Sequence, residues 1–169
     1  MSKPSTTSYP TYFQQYIDQV PEENLPEGFN NQATVISSFL AGISEEKSKH
    51  AYAQGKWTIK EVLQHMTDTE RIFCYRALCF ARKEPASLPG FDENDYAANS
   101  NANERTWESL VDEFLAVRKA TEYLFKSFGQ EQLALSGTAN NNLTSVASVG
   151  FITLGHFYHH KRVLEERYF

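Results

Sequence analysis

Of the five histidines in the chain, His156 and His160 stand four residues apart. On a helix that spacing stacks both imidazoles on one face. Val149, Ile152, Thr153 and Val163 fall on the same face, so it is expected to turn inward. A buried imidazole without a partner costs desolvation energy. A backbone carbonyl can remove that cost, and so can a divalent metal ion, which neutral ring nitrogens bind at about 2.0–2.1 Å. His65 favours the metal. It lies on the apolar stripe of a different segment, close after Ile59 and Val62. Three inward imidazoles from two segments make a site for one divalent ion with positions left open for water or substrate. His159 lies about 60° from the His156 direction and is expected to flank the site. His50 belongs to an irregular stretch and is expected at the surface.

Two related metal chemistries are excluded by the residues present. Phe157 stands where an HExxH helix carries its glutamate base, so a protease of that kind does not fit. No Glu-x-x-His motif occurs on two helices, as a di-iron bundle requires, so one ion is expected rather than two. An ion with an open position either lowers the pKa of water or deprotonates a thiol, and both uses need a group to relay protons. Glu61 and Asp68 flank His65 at i−4 and i+3 and are the candidate catalytic residues, or the groups that fix the His65 tautomer. Glu61 has a second explanation in a helix cap. Arg118 lies in an apolar stripe, where an ion pair with Asp68 or Glu70 is the expected role in preference to holding a substrate carboxylate.

These side chains must be carried by helices. After a short N-terminal segment (12–20), Pro21 and Pro26 mark a break, and a first helix is expected over 29–43 from the spacing of Val35, Ile36, Phe39, Leu40 and Ile43. Gly55 stops the chain, and Thr58 with Glu61 forms a capping box that starts a second helix at 59 and carries it to about 82. Its stripe reads Val62, His65, Thr69, Ile72 and Arg76. A long polar connection follows (84–103). The third helix runs from Trp107 to Phe128 on one stripe and ends at Gly129. A polar connection (136–143) leads to a fourth helix that begins at Thr144 or Ser145 and reaches about 167. The expectation is all-α: a four-helix bundle with a short extra N-terminal helix, one domain over 1–169.

Composition narrows the setting. Apolar residues make up 41% and the formal charge is −5, with no dense basic cluster to track phosphates, so nucleic-acid binding is not expected. No apolar run approaches the roughly 20 residues that span a bilayer, and the first residues lack an apolar signal core. Cys74 and Cys79 lie five apart on one expected helix and cannot bridge each other. A reduced, cytoplasmic protein without membrane contact is the expectation.

The sequence resembles the DinB/YfiT-like superfamily of four-helix-bundle metalloproteins along nearly its whole length. The resemblance rests on the run from Gly55 through Trp57, Thr58 and Glu61 to His65, continuing through Asp68, Glu70 and Arg71. It rests also on Leu88 to Glu93, on Gly155 to His160, and on Glu166 to Tyr168. It implies that His65, His156 and His160 are the metal ligands and that nickel or zinc is the ion. It also implies frequent homodimers, and either a thiol S-transferase, joining a low-molecular-weight thiol to a small electrophilic substrate, or a metal-dependent hydrolase. A non-catalytic protein stabilised by its metal is a third reading. Related sequences often read His-Glu-x-His-His, so Phe157 is a departure.

Overall fold

The computed structural model describes residues 3–169. A 3₁₀ turn at Thr11–Phe13 leads into the short α1 (Gln14–Ile17), followed by α2 (Leu25–Ala41) and α3 (Glu45–Ser48). Then come α4 (Ile59–Ala81), α5 (Glu93–Ala98), α6 (Trp107–Lys126) and α7 (Gln130–Ala134). Strands β1 (Ser136–Ala139) and β2 (Asn142–Ser145) precede the final helix, α8 (Val146–Arg167). The long helices α2, α4, α6 and α8 form the expected bundle, with α4 packed against both α6 and α8, and α1 lying on α8. No helix among the described residues is long and apolar enough to cross a membrane. Both cysteines are free thiols.

Three local readings change. The first long helix starts at Leu25 rather than 29, because the Asn24 side chain accepts from the Glu27 N–H and Pro26 sits in the first turn, where a missing N–H costs nothing. The connection at 136–143 is largely a β-hairpin. Asn140 and Asn141 both adopt positive φ, 48° and 60°, as a two-residue hairpin turn demands. The long 84–103 connection contains α5, and its Leu88 is pinned to the hairpin by bonds from Leu88 N to Thr138 O and from Asn140 N to Leu88 O, both 2.9 Å.

A buried polar network ties the four long helices together. Glu70 on α4 accepts from Arg118 Nη2 (2.7 Å) and from the Thr121 hydroxyl (2.6 Å) on α6. Arg118 Nη1 also donates to Gln32 of α2, whose amide donates to the Leu154 carbonyl of α8 at 2.9 Å. The guanidinium lies over the Phe29 and Phe114 rings. Arg118 is therefore the structural ion pair expected of it, with Glu70 as its partner. The network fixes how the helices slide against one another, because a shift at any one of them breaks a buried bond. Glu70→Ala, which strands a buried guanidinium, is expected to cost about 3–5 kcal/mol in denaturant unfolding. A loss below 1 kcal/mol would contradict this assignment.

Candidate metal centre

Two capped helices set the position of the centre. At the start of α4, the Thr58 hydroxyl accepts from Glu61 N (3.1 Å), while Thr58 N donates to the Glu61 carboxylate (2.7 Å), so the capping box is complete. His65 follows two turns later. Ser145 caps α8 through a bond from Ser148 N (3.1 Å), and His156 and His160 lie on the inward face beyond it.

The three rings converge. His156 Nε2 lies 3.2 Å from His65 Nε2 and 3.0 Å from His160 Nε2, and a ligand atom from each ring falls within 4.8 Å of the others. A ring nitrogen carries either one hydrogen or one lone pair. His156 Nε2 can therefore satisfy only one of its two close contacts at a time, whatever the tautomers. A cation taking three lone pairs removes that conflict. In a tetrahedral site with bonds of 2.0–2.1 Å, ligand nitrogens sit about 3.3–3.4 Å apart, close to the spacing here. The donor set fits a divalent ion.

Burial prepares the rings for that role. It pushes His65 down to about 4, with a smaller contribution from His159. It also holds His156 and His160 well below the ordinary histidine range, and the facing rings add to the effect. All three are neutral at pH 7, the form that binds metal. Thr69 Oγ1 stands 3.5 Å from His65 Nδ1, at the limit of a hydrogen bond that would leave Nε2 facing the centre. Aromatic rings wall the site: Trp57 against His65 (5.0 Å between centroids), Phe73 against His156 (6.0 Å), and Tyr16 against both His156 (5.6 Å) and His159 (5.1 Å). Tyr16 reaches this place because residue 155 is glycine. A Cβ there would collide with the Tyr16 carbonyl, so α1 could not lie so close to α8.

The centre opens into a cavity of about 350 Å³. His159 lines it, as expected of a flanking residue, and its Nδ1 is buried without a hydrogen-bond partner. His50 is exposed. Neither Glu61 nor Asp68 is among the lining residues. Glu61 is held in the cap. Asp68 accepts from Gln64 Nε2 (2.9 Å) and lies 3.6 Å from Arg71, with burial raising its pKa. Phe157 is fully buried against Phe39 and Phe114, so position 157 faces the core rather than the cavity. The periodicity argument did not reach Tyr12, Tyr16, Phe91, Glu93 and Asn140, which come from outside α4 and α8. For Phe91 and Glu93 a signal was present, since both lie in a stretch that carries the family resemblance.

Comparison with known proteins agrees with this architecture. The structure is similar to that of YfiT from Bacillus subtilis, with a TM-score of 0.70 and 13% sequence identity, covering 97% of this chain and 90% of that one. YfiT is described as a probable metal-dependent hydrolase with an unusual four-helix bundle topology; at this identity the likeness establishes the fold. Among curated proteins none matches significantly. The sequence profile of the DinB superfamily matches residues 29–164, most of the length and all three histidines, and the chain belongs to that superfamily.

Proposed function

We propose that His65, His156 and His160 hold one divalent ion, nickel or zinc being suited to imidazole nitrogens, and that the chain is a metal-dependent enzyme acting on a small electrophilic substrate. The observation that carries this reading is the convergence of three Nε2 atoms on one point in the wall of an open cavity. A purely structural ion is normally closed by four protein ligands, which argues against a staple. When bound, the ion supplies Lewis acidity that lowers the pKa of a water or thiol in the site.

The surrounding residues have separate tasks. Thr69 steadies the His65 ring, and Trp57, Phe73 and Tyr16 pack against the histidine rings and hold them in place. The Tyr16 phenol is held well above its ordinary pKa, chiefly by burial, and its oxygen lies 3.1 Å from that of Tyr12. The pair stays protonated and offers a hydrogen-bond donor beside the histidines. Glu61 and Asp68 act on the site through α4 itself, as positioning residues: Glu61 by fixing the helix start, Asp68 by its bonds on the side facing α6. The attacking group is a low-molecular-weight thiol in the first reading and water in the second. The description of YfiT as a hydrolase supports the second.

Three measurements test the proposal. Purified protein is expected to carry close to one metal ion per chain, and His156→Ala to lose it; protein free of metal after purification in metal-containing medium would sink the reading. Turnover of an electrophile should vanish with a chelator, and a panel of thiols separates the two nucleophiles, because a hydrolase turns over without any. The third concerns acid. The folded pKa values are depressed, so between about pH 6.5 and about 4 the unfolded chain binds protons that the folded chain refuses. Metal-free protein should therefore be fully stabilised by these rings above pH 6.5 and lose that contribution as pH falls toward 4. His160→Gln should flatten this acid limb in denaturant titrations; identical slopes for the two proteins would refute the buried, neutral state.

A further inference from the structure

One residue of the α4 stripe has no part in the reading above. His65, Thr69, Phe73 and Arg76 recur at helical spacing and all four line the cavity. His65 and Arg76 are eleven residues apart, roughly 16 Å of helix axis, so the cavity has a histidine end and a guanidinium end. Arg76 Nη2 donates to the Pro89 carbonyl at 2.9 Å, and the guanidinium carbon lies 6.0 Å from the Phe91 ring centroid. Pro89, Gly90 and Phe91 cannot drift, since Leu88 is bonded into the hairpin and Gly90 packs so closely on Asn140 that a Cβ would meet its side chain. The guanidinium is thus fixed by one carbonyl and one ring face, with donors left over.

Among the described residues, no carboxylate lies within 4.0 Å of Arg76. Burial alone lowers its pKa, with no counter-ion opposing, yet guanidinium remains charged at any physiological pH. Glu93 lines the same cavity, and its charge acts on Tyr16, at the histidine end. Among the described residues that line the cavity, Arg76 is the one arginine or lysine. A half-buried, immobilised cation without a counter-ion is matched by a ligand anion, and its planar fork suits a carboxylate. Much of the rest of the wall is aromatic, with Phe13, Phe73, Phe91 and Trp57 beside the polar Thr69 and Asn140.

Resting on the metal-enzyme reading, we propose that Arg76 selects the substrate: an elongated molecule with an apolar or aromatic body, its reacting centre at the histidines and a carboxylate on Arg76. The probes are 3-phenylpropanoate and its neutral amide, titrated calorimetrically into the protein as purified and again after a chelator. The acid should bind about tenfold or more tightly than the amide, the worth of one charge-assisted contact. Arg76→Gln should abolish that preference and Arg76→Lys keep part of it, both with an unchanged metal content and a cooperative thermal transition. Equal affinities in the wild type, no binding of either probe at millimolar concentration, or a preference that survives Arg76→Gln would overturn the proposal. So would a preference that disappears with the chelator, because the carboxylate would then be bound to the ion. Failure of the metal reading appears separately, as purified protein without metal, and leaves the acid–amide comparison valid.

Discussion

Packing three imidazoles against one another inside an apolar bundle imposes a condition that the other elements have to meet. Charged rings at these distances would lose hydration and repel, so the rings are neutral, and neutral rings cannot satisfy both close contacts of His156 Nε2 at once. The geometry is sensitive to small errors. A slide of α8 along α4 by one residue moves a ring by about 1.5 Å, enough to spoil ligation with bonds of 2.0–2.1 Å. Precision at the centre therefore has to come from outside it.

The network around Arg118 is the structural source of that precision. Apolar side chains repack with little loss, so the two apolar clusters alone would tolerate several helix registers. Glu70, Arg118, Thr121 and Gln32 tolerate one, because their partners lie on four different helices and every broken bond would be buried. The last link is the Leu154 carbonyl, two residues before His156, and Glu70 lies five residues after His65. The network thus holds both histidine-bearing helices close to the histidines themselves. A buried ion pair adds little net stability over an apolar replacement; here it adds uniqueness of register.

What the sequence disclosed follows from which forces are local. Amphipathic periodicity and the Thr58–Glu61 cap depend on neighbours within a turn or two, and they located α4, α6 and α8 to within a few residues. The inward direction of His65, His156 and His160 came from the same reasoning. The start of α2 was obscured because Pro26 reads equally as a breaker and as a first-turn residue. The hairpin was obscured because its strands are only four residues long, too short for an alternation to register. Adjacency on the α4 surface was also too coarse a guide to the cavity. At 100° per residue, Thr69, Phe73 and Arg76 fall about 20–80° to one side of His65, while Asp68, Glu61, Gln64 and Arg71 fall about 40–120° to the other. The first set lines the cavity. The second is occupied by the cap and by contacts toward α6, where Arg105 and Arg71 both meet Glu113. Nearness in sequence to a ligand did not distinguish the two sides; knowing where α6 packs does.

That division also explains how one bundle can persist at low sequence identity. The three histidines belong to two long helices whose register is fixed by a buried polar network. The rest of the cavity wall comes from the 3₁₀ turn and α1, the 84–93 segment and the hairpin turn, which are held by a few backbone bonds and by close approaches at Gly90 and Gly155. Substitutions on the helices would disturb the histidine cluster and stability together, whereas substitutions at Tyr12, Phe91 or Asn140 reshape the space facing the histidines with little loss of core packing. A fold shared with YfiT at 13% identity is what such an arrangement permits. In the proposed enzyme, the connecting segments and the far end of the α4 stripe shape the space in front of the histidines, and there the chain carries a guanidinium held rigidly without a counter-ion.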